Sequence, residues 1–342
     1  MYTMKTNILS STLKIALLAI ATRVVMDKVS RSGRKQNLDG NVVLITGGSR
    51  GLGFALAQEL VKKGAMLALC ARDAENLAQA EAVLQAAGGT VFTVTADVSQ
   101  AAEVEDMVAA VIAHYGRVDV LINNAGAMIV GPEETMEIAD YKHIMETNCW
   151  SSLFTTKAIL PHFRAQQVGH IVNIASIGGK LSVPHMLPYS VSKFALVGLS
   201  QGFAAELAQE NVRVTTVVPS LMRTGSPRNI DVKGKHKAEY AWFKLADSLP
   251  LLSQHAAVAA KTIIAGIEDR KRNITLSLNA KLAIGLQALL PETTAVLTEK
   301  VGAMLPSGSD KTSKKGYQSE SWLTKTIAGF LADKSARKYN QF

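Results

Sequence analysis

A tyrosine and a lysine four residues apart, in Tyr189-Ser190-Val191-Ser192-Lys193, with Ser176 thirteen residues upstream, are the side chains of this 342-residue chain best suited to carbonyl chemistry. On a helix, positions four apart share a face. A phenol titrates near pH ~10 in water and is a poor acid at neutrality unless a nearby positive charge favours its ionised form. Lys193 can supply that charge from one turn away. Such a pair moves a proton but carries no hydride, so oxidation or reduction here needs a nucleotide bound alongside.

A nucleotide site is legible upstream. Asn41-Val42-Val43-Leu44-Ile45-Thr46 reads as a short buried parallel strand, and it runs into Gly47-Gly48-Ser49-Arg50-Gly51-Leu52-Gly53 and then a helical stretch over 54–63. Glycines allow positive φ and let backbone N–H groups reach a pyrophosphate, and the helix that starts there adds its positive dipole end.

Four motifs stand in order along the chain: Thr46-Gly47-x-x-x-Gly51-x-Gly53, Asn123-Asn124-Ala125-Gly126, Ser176, and Tyr189-x-x-x-Lys193. Together, over about residues 40 to 225, they resemble a short-chain dehydrogenase/reductase. The resemblance implies an enzyme with Ser176, Tyr189 and Lys193 as catalytic residues and Asn148, in Glu146-Thr147-Asn148, completing a tetrad. Its cofactor site would comprise Thr46, Gly47, Ser49, Arg50, Gly51, Leu52 and Gly53 of the glycine turn. Asp97 and Val98 would hold the adenine, and Asn124, Ala125 and Gly126 would approach the cofactor after the fourth strand. Pro219 and Thr224 would touch the nicotinamide end, with Tyr189 and Lys193 beside them. One departure is Ser220, which stands where the family usually has glycine after Pro219. Hydride transfer between a nicotinamide and a carbonyl or carbinol carbon of a nonpolar small molecule is the implied reaction. The alternative is a dinucleotide-binding scaffold that keeps the fold without the chemistry. Proteins of that kind generally lose the tyrosine or the lysine, and both are present.

The second strand bears on which nicotinamide fits. A carboxylate at its end accepts from the free ribose hydroxyl of NAD and repels the 2′-phosphate of NADP. Here the strand ends Leu69-Cys70-Ala71-Arg72, and Arg72 with Arg50 could grip a phosphate through a charge-assisted fork. Asp73, about twenty residues past Gly53, is the competing NAD-type acid. NADP(H) is therefore expected, with NAD as the alternative.

The elements that position these residues alternate. Strands are expected at 41–46, 66–71, 90–96, 118–123, 168–175 and 212–218, with helical stretches between them and a weak seventh strand at 273–276. This pattern predicts an α/β fold, a doubly wound parallel sheet of Rossmann type. The organisation expected is a segment 1–37, a reductase domain 38–276 with a substrate lid over about 223–252, and a helical extension with a flexible polar tail, 277–342. Within the lid, Arg228, Lys233, Lys235 and Lys237 read as a solvated face.

The net charge of +9 comes from Lys and Arg spread along the chain and concentrated at 23–37 and after 311, so membrane surface or solubility fits better than nucleic acid. Two cysteines, Cys70 and Cys149, give no disulfide framework and point to a reducing, cytoplasmic setting. No metal is expected; the partners expected are a small-molecule substrate and a second copy of the chain in a homo-oligomer. Residues 8–25 are largely apolar and have three readings: a membrane anchor or interfacial helix, a helix packed on the protein itself, or a cleaved export signal. The apolar helical stretches within 256–305 could cap the substrate entrance or touch a bilayer.

Overall fold

The computed structural model describes Thr22 and residues 35–249, 253–326 and 329–342. Apart from Thr22, the apolar stretch 8–25 lies outside the described residues, and so do its three readings. Among the described residues no helix is long and apolar enough to cross a membrane.

In chain order the first half comprises β1 (Val42–Thr46), α1 (Gly51–Val61), β2 (Met66–Ala71), α2 (Ala74–Ala86), β3 (Val91–Thr95), α3 (Ala101–Tyr115), β4 (Val120–Asn123), β5 (Ile129–Val130), α4 (Ile138–Met145), a π-helical turn Glu146–Trp150, α5 (Ser151–Ala165) and β6 (Gly169–Ile174). There follow α6 (Leu187–Glu206), β7 (Val212–Val218), β8 (Met222–Arg223), β9 (Asp231–Val232), α7 (His236–Ser248), β10 (Gln254–His255), α8 (Ala256–Glu268), β11 (Asn273–Thr275), α9 (Leu278–Leu289), α10 (Pro291–Ala303), β12 (Lys314–Lys315), α11 (Trp322–Thr326) and α12 (Gly329–Lys338). All six expected strands form, and the weak seventh is β11.

Seven strands make one parallel sheet in the order β11-β7-β6-β4-β1-β2-β3. Helices cover both faces, so β1, β4 and β6 are buried along their whole length and read as continuous rather than alternating apolar runs. On one face Leu56, Leu60, Ile263 and Ile267 of α1 and α8 close the core; on the other Val104, Val108, Ile159 and Phe163 of α3 and α5 do so. The strand order reverses between β1 and β4, where the turns leaving the two strands part and open the crevice in which such sheets bind ligands.

The carboxyl ends of the central strands are tied together by buried polar side chains. The Asn123 amide donates to Asn173 Oδ1 (2.9 Å) and its carbonyl oxygen accepts from Thr155 (2.7 Å). Asn173 in turn donates to Ser200 Oγ (2.9 Å), which pairs with Thr216 Oγ1 (2.7 Å). The chain crosses β4, β6 and β7 directly beneath the residues singled out by sequence.

The extension 277–342 is woven into the rest of the molecule. Lys314-Lys315, in the segment expected to be flexible, pairs antiparallel with β9, which also pairs with β5. Glu320 accepts from the buried Lys244 of α7 (2.9 Å). Two of the lid cations expected to be solvated are not: Lys233 is buried and bonded to Asp140 (2.6 Å), and Arg228 lies 4.0 Å from the Phe342 ring centroid. Partners from distant segments, which local charge pattern does not reveal, account for both. Lys235 and Lys237 are exposed as expected.

Asn173→Ala deletes the central link of the buried polar chain and leaves the Asn123 amide and the Ser200 hydroxyl short of a partner. A loss of about 2–3 kcal/mol is expected, read as a fall in Tm of about 5–10 °C. An unchanged Tm would mean that the network does not hold the strand ends.

Candidate active site

Ser176 follows β6, Lys193 and Tyr189 lie on α6, and Asn148 lies in the π-helical turn before α5; the fold brings all four together at the carboxyl edge of the sheet. The Ser176 hydroxyl oxygen accepts from Gly178 N–H (3.1 Å), and the same hydroxyl hydrogen-bonds the Tyr189 phenol. The Tyr189 ring packs on Gly178, where a Cβ would stand 3.2 Å from Cε1. Lys193 is 4% exposed, donates to the Ile174 carbonyl (3.0 Å) and holds its Nζ 5.8 Å from the Tyr189 ring centroid.

Burial raises the Tyr189 phenol, and the bond to Ser176 opposes that rise. Burial also lowers Lys193, to about 8. Sequence reasoning gives Lys193 the task of acidifying the phenol. In this arrangement desolvation dominates both groups, and the opposing contact comes from Ser176.

Asn148 is fully buried. Its Oδ1 accepts from Ala127 N–H (2.7 Å), and its Nδ2 donates to the Ala127 carbonyl (3.0 Å) and to Ser192 Oγ (2.9 Å). Ser192 passes the link to the Tyr189 carbonyl (2.7 Å). Ser192 and Gly178 were not singled out by sequence; the signal for Ser192 was a small polar residue inside the Tyr-x-x-x-Lys spacing. A Cβ on Gly126 would stand 3.1 Å from Asn148 Oδ1 and 3.7 Å from Lys193 Nζ, so glycine is what lets the turn after β4 reach this cluster.

The glycine turn is clamped from the same side. Thr46 Oγ1 accepts from the N–H groups of Asn124 (3.0 Å) and Ala125 (3.1 Å), and Asn124 Nδ2 donates to the carbonyls of Thr46 and Gly47 (both 3.0 Å). Gly47 and Gly51 have positive φ, of 63° and 61°. A Cβ on Gly53 would stand 2.2 Å from the Gly47 carbonyl oxygen, so α1 can start this close to β1 only with glycine there. Ser49 and Leu52 are buried, and Arg50 is exposed at the N-cap of α1.

At the end of β2 the two competing residues take different places. Asp73 caps α2, accepting from Asn76 N (3.0 Å) and Asn76 Nδ2 (2.6 Å), and these bonds hold its carboxyl below the usual range. Arg72 is 58% exposed, with Nη1 3.7 Å from Asp97 Oδ2. Asp97 also accepts from the Ser99 N–H (3.0 Å) and hydroxyl (2.8 Å), next to the buried Val98. The Pro219 carbonyl accepts from Ile177 N–H (2.7 Å), joining the turn after β7 to the Ser176 turn. Ser220 accepts from the hydroxyl of Ser277 (3.3 Å), the N-cap of α9, which gives the departure from glycine a structural use. Thr224 is buried, its hydroxyl oxygen accepting from Ser226 N–H (3.1 Å).

Beside the cluster of Ser176, Tyr189 and Lys193 lies an apolar patch in which Met128, Val183, Leu221, Trp242 and Tyr189 pack against Met186, Ile230 and Phe243. Beside it the buried Glu239 accepts from Trp242 Nε1 (2.8 Å) and meets His185 Nδ1 at 2.9 Å. Asp247, also on α7, accepts from Met222 N–H (3.2 Å), and burial pushes its carboxyl up to about 7.

A family model described as short chain dehydrogenase matches residues 41–233. An oxidoreductase of Mycobacterium tuberculosis, SadH, is 36% identical over 251 residues, covering 72% of this chain and 89% of its own. A short-chain dehydrogenase/reductase from Burkholderia phymatum, solved with NAD, superposes with a TM-score of 0.70 at 27% identity, covering 76% of this chain and 96% of its own. A metagenomic short-chain oxidoreductase solved with NADP superposes with a TM-score of 0.52 at 38% identity, covering 54% and 84%.

A carboxyl whose folded value exceeds its unfolded one contributes stability that is complete below the unfolded value, near pH ~4, and is lost as pH rises through about 7. Asp247→Asn keeps an acceptor for Met222 and removes the titration. The variant is expected to gain stability over the unsubstituted protein between pH 4 and 8, by at most about 4 kcal/mol. Thermal unfolding across that range reads the difference, and parallel Tm profiles would contradict a buried, displaced carboxyl.

Proposed function

The chain belongs to the short-chain dehydrogenase/reductase family, oxidoreductases of CH–OH and C=O groups that use a nicotinamide cofactor, and from that premise we propose that it is an NADP(H)-dependent reductase of apolar carbonyl compounds with Tyr189 as the proton donor. The observation that carries this reading is the cluster of half-buried Ser176 and Tyr189 with buried Lys193 at the carboxyl edge of the sheet, flanked by apolar side chains.

When bound, the cofactor supplies the hydride that adds to the carbonyl carbon. Ser176, whose oxygen accepts from Gly178 while its hydroxyl faces the Tyr189 phenol, would turn its proton to the carbonyl oxygen of a bound substrate and so orient it. The phenolic proton of Tyr189 passes to that oxygen as the carbinol forms. Because burial raises the phenol, Tyr189 stays protonated at neutral pH, the form a reductase needs. The phenolate left behind is stabilised by the Lys193 ammonium, which Ile174 fixes through one N–H. Its remaining donors are free to turn toward the nicotinamide ribose. Asn148 positions the cluster through Ala127 and Ser192. Met128, Val183, Leu221 and Trp242 exclude bulk water and favour an apolar substrate.

The glycine turn, residues 47–53, would hold the pyrophosphate on its backbone N–H groups, Asp97 and Val98 the adenine, and Pro219 and Thr224 the carboxamide end. Two observations support NADP over NAD. The Asp73 carboxylate is committed to capping α2, and Arg72, beside Arg50, has an exposed guanidinium on the outer side of the same turn. Exposed apolar residues along α6, namely Leu187, Val191 and Phe194, support a homo-oligomer built through that helix.

Tyr189→Phe should lower kcat for reduction of the best ketone in a hydrophobic panel by on the order of a hundredfold to ten-thousandfold while leaving the NADPH Kd unchanged. A variant that keeps most of its rate removes the phenol from the mechanism, and tight NADPH binding without turnover on any ketone favours a scaffold. Arg72→Ala should weaken NADPH by on the order of tenfold and leave NADH unchanged. Equal losses for the two dinucleotides would contradict the 2′-phosphate contact.

A further inference from the structure

Residues 336–342 return across the molecule to the glycine turn. Tyr339 is fully buried in the core shared by α1 and α8, its ring edge-on to His255 at 6.2 Å, and Ala336 is packed on Gly225. The chain then reverses at Asn340, with φ of 53°, and Gln341 N–H donates back to the Ala336 carbonyl (2.9 Å).

From this anchor the last residues reach into the turn. The Tyr339 carbonyl accepts from Gly51 N–H (2.8 Å). Asn340 Nδ2 donates to the carbonyls of Ser49 (3.0 Å) and Asn76 (3.1 Å), bridging the turn after β1 and the first turn of α2. The Gln341 amide fills the space beside Gly51, its Nε2 2.6 Å from where a Cβ would stand, and is held there by Asn229 Nδ2, which donates to Gln341 Oε1 (2.6 Å). Phe342 stacks between Arg228 and Arg337, 4.0 and 4.8 Å from its centroid.

Gly51 is the middle glycine of the motif, the one whose missing side chain lets a pyrophosphate approach the backbone, and its N–H belongs to the first turn of α1 where a phosphate oxygen would be bound. A neutral carbonyl oxygen holds that donor, and a side-chain amide holds that room. The Asn340 bridge spans the region between Arg50 and the cap of α2, where the adenosine ribose would lie. Tail and dinucleotide therefore need the same volume and the same hydrogen-bond donor.

We propose that residues 340–342 and the Tyr339 carbonyl are an intramolecular occupant of the pyrophosphate site, and that a dinucleotide binds by turning the Tyr339–Asn340 peptide, which takes the carbonyl off Gly51 N–H and swings residues 340–342 away while the Tyr339 ring stays in the core. The inference rests on the glycine turn being the nucleotide site. Apparent affinity is then the intrinsic affinity multiplied by the fraction of molecules with the tail released, so a tail docked in nine molecules of ten weakens binding about tenfold.

Two measurements test this, neither of which needs turnover. The NADPH Kd, by calorimetry, is compared between the unsubstituted chain and Asn340→Ala/Gln341→Ala, and hydrogen exchange at the Gln341 amide of the unsubstituted chain, which donates to Ala336, is followed with and without NADPH. Displacement predicts about tenfold tighter binding in the double variant and faster exchange at Gln341 with NADPH. Equal or weaker binding in the variant, or protection of the Gln341 amide by NADPH, overturns it and makes the tail a fixed wall of the loaded site. The exchange experiment stands even if the variant fails to fold. If neither NADPH nor NADH binds either protein, the nucleotide reading falls and the displacement falls with it, a result distinct from equal tight binding by both, which removes the displacement alone.

Discussion

A single buried cation sets the terms for the rest of this site. The Lys193 ammonium sits at 4% exposure, tied to the carbonyl of Ile174 at the end of β6. Removing an ammonium from water costs several kcal/mol unless carbonyls and facing dipoles replace the lost hydration, and burial lowers Lys193 to about 8. The strand end, the glycine of the turn after β4 and the helix α6 must all be held in place around it. The chain Thr155, Asn123, Asn173, Ser200 and Thr216 fixes the strand ends, and Thr46 with Asn124 fixes the two turns.

The same constraint explains why the tetrad is built from backbone as much as from side chains. Asn148 spends its amide on Ala127 and Ser192, so its contribution is to set where the turn after β4 and the first turns of α6 lie relative to Lys193. The π-helical turn at Glu146–Trp150 supplies the extra backbone residue that aims Asn148 inward between α4 and α5. Tyr189 is held by Gly178 and Ser176, and it packs against the apolar cluster of Met186, Ile230 and Phe243.

Much of this was written locally enough to be read from the chain. Buried parallel strands show as continuous apolar runs, the glycine turn joins a strand to a helix, and Tyr189 and Lys193 share a helical face by spacing alone. What escaped depends on contacts between distant segments. Lys233 read as a solvated cation because its partner, Asp140, is ninety-three residues away, and Arg228 because Phe342 lies at the other end of the chain. The π-helical turn leaves no periodic signature in a stretch of mixed polarity. Lys314-Lys315, exposed and basic, gains its strand conformation only from pairing with Asp231-Val232, and the return of residues 339–342 to Gly51 has no local signal at all.

The segment 223–252 and the extension are tied to the rest of the molecule by Glu320 on Lys244, Glu239 on His185 and Gln341 beside Gly51. The centre of the site is a cation kept short of water, and the most direct test is its titration. In protein labelled with 15N at the lysine side chains, with the Lys193 signal assigned by its loss in Lys193→Met, the account predicts a midpoint near pH 8. A midpoint near the ordinary lysine value of about 10.4 would mean that Lys193 is hydrated in solution, and the buried cluster from which the reaction was derived would not exist.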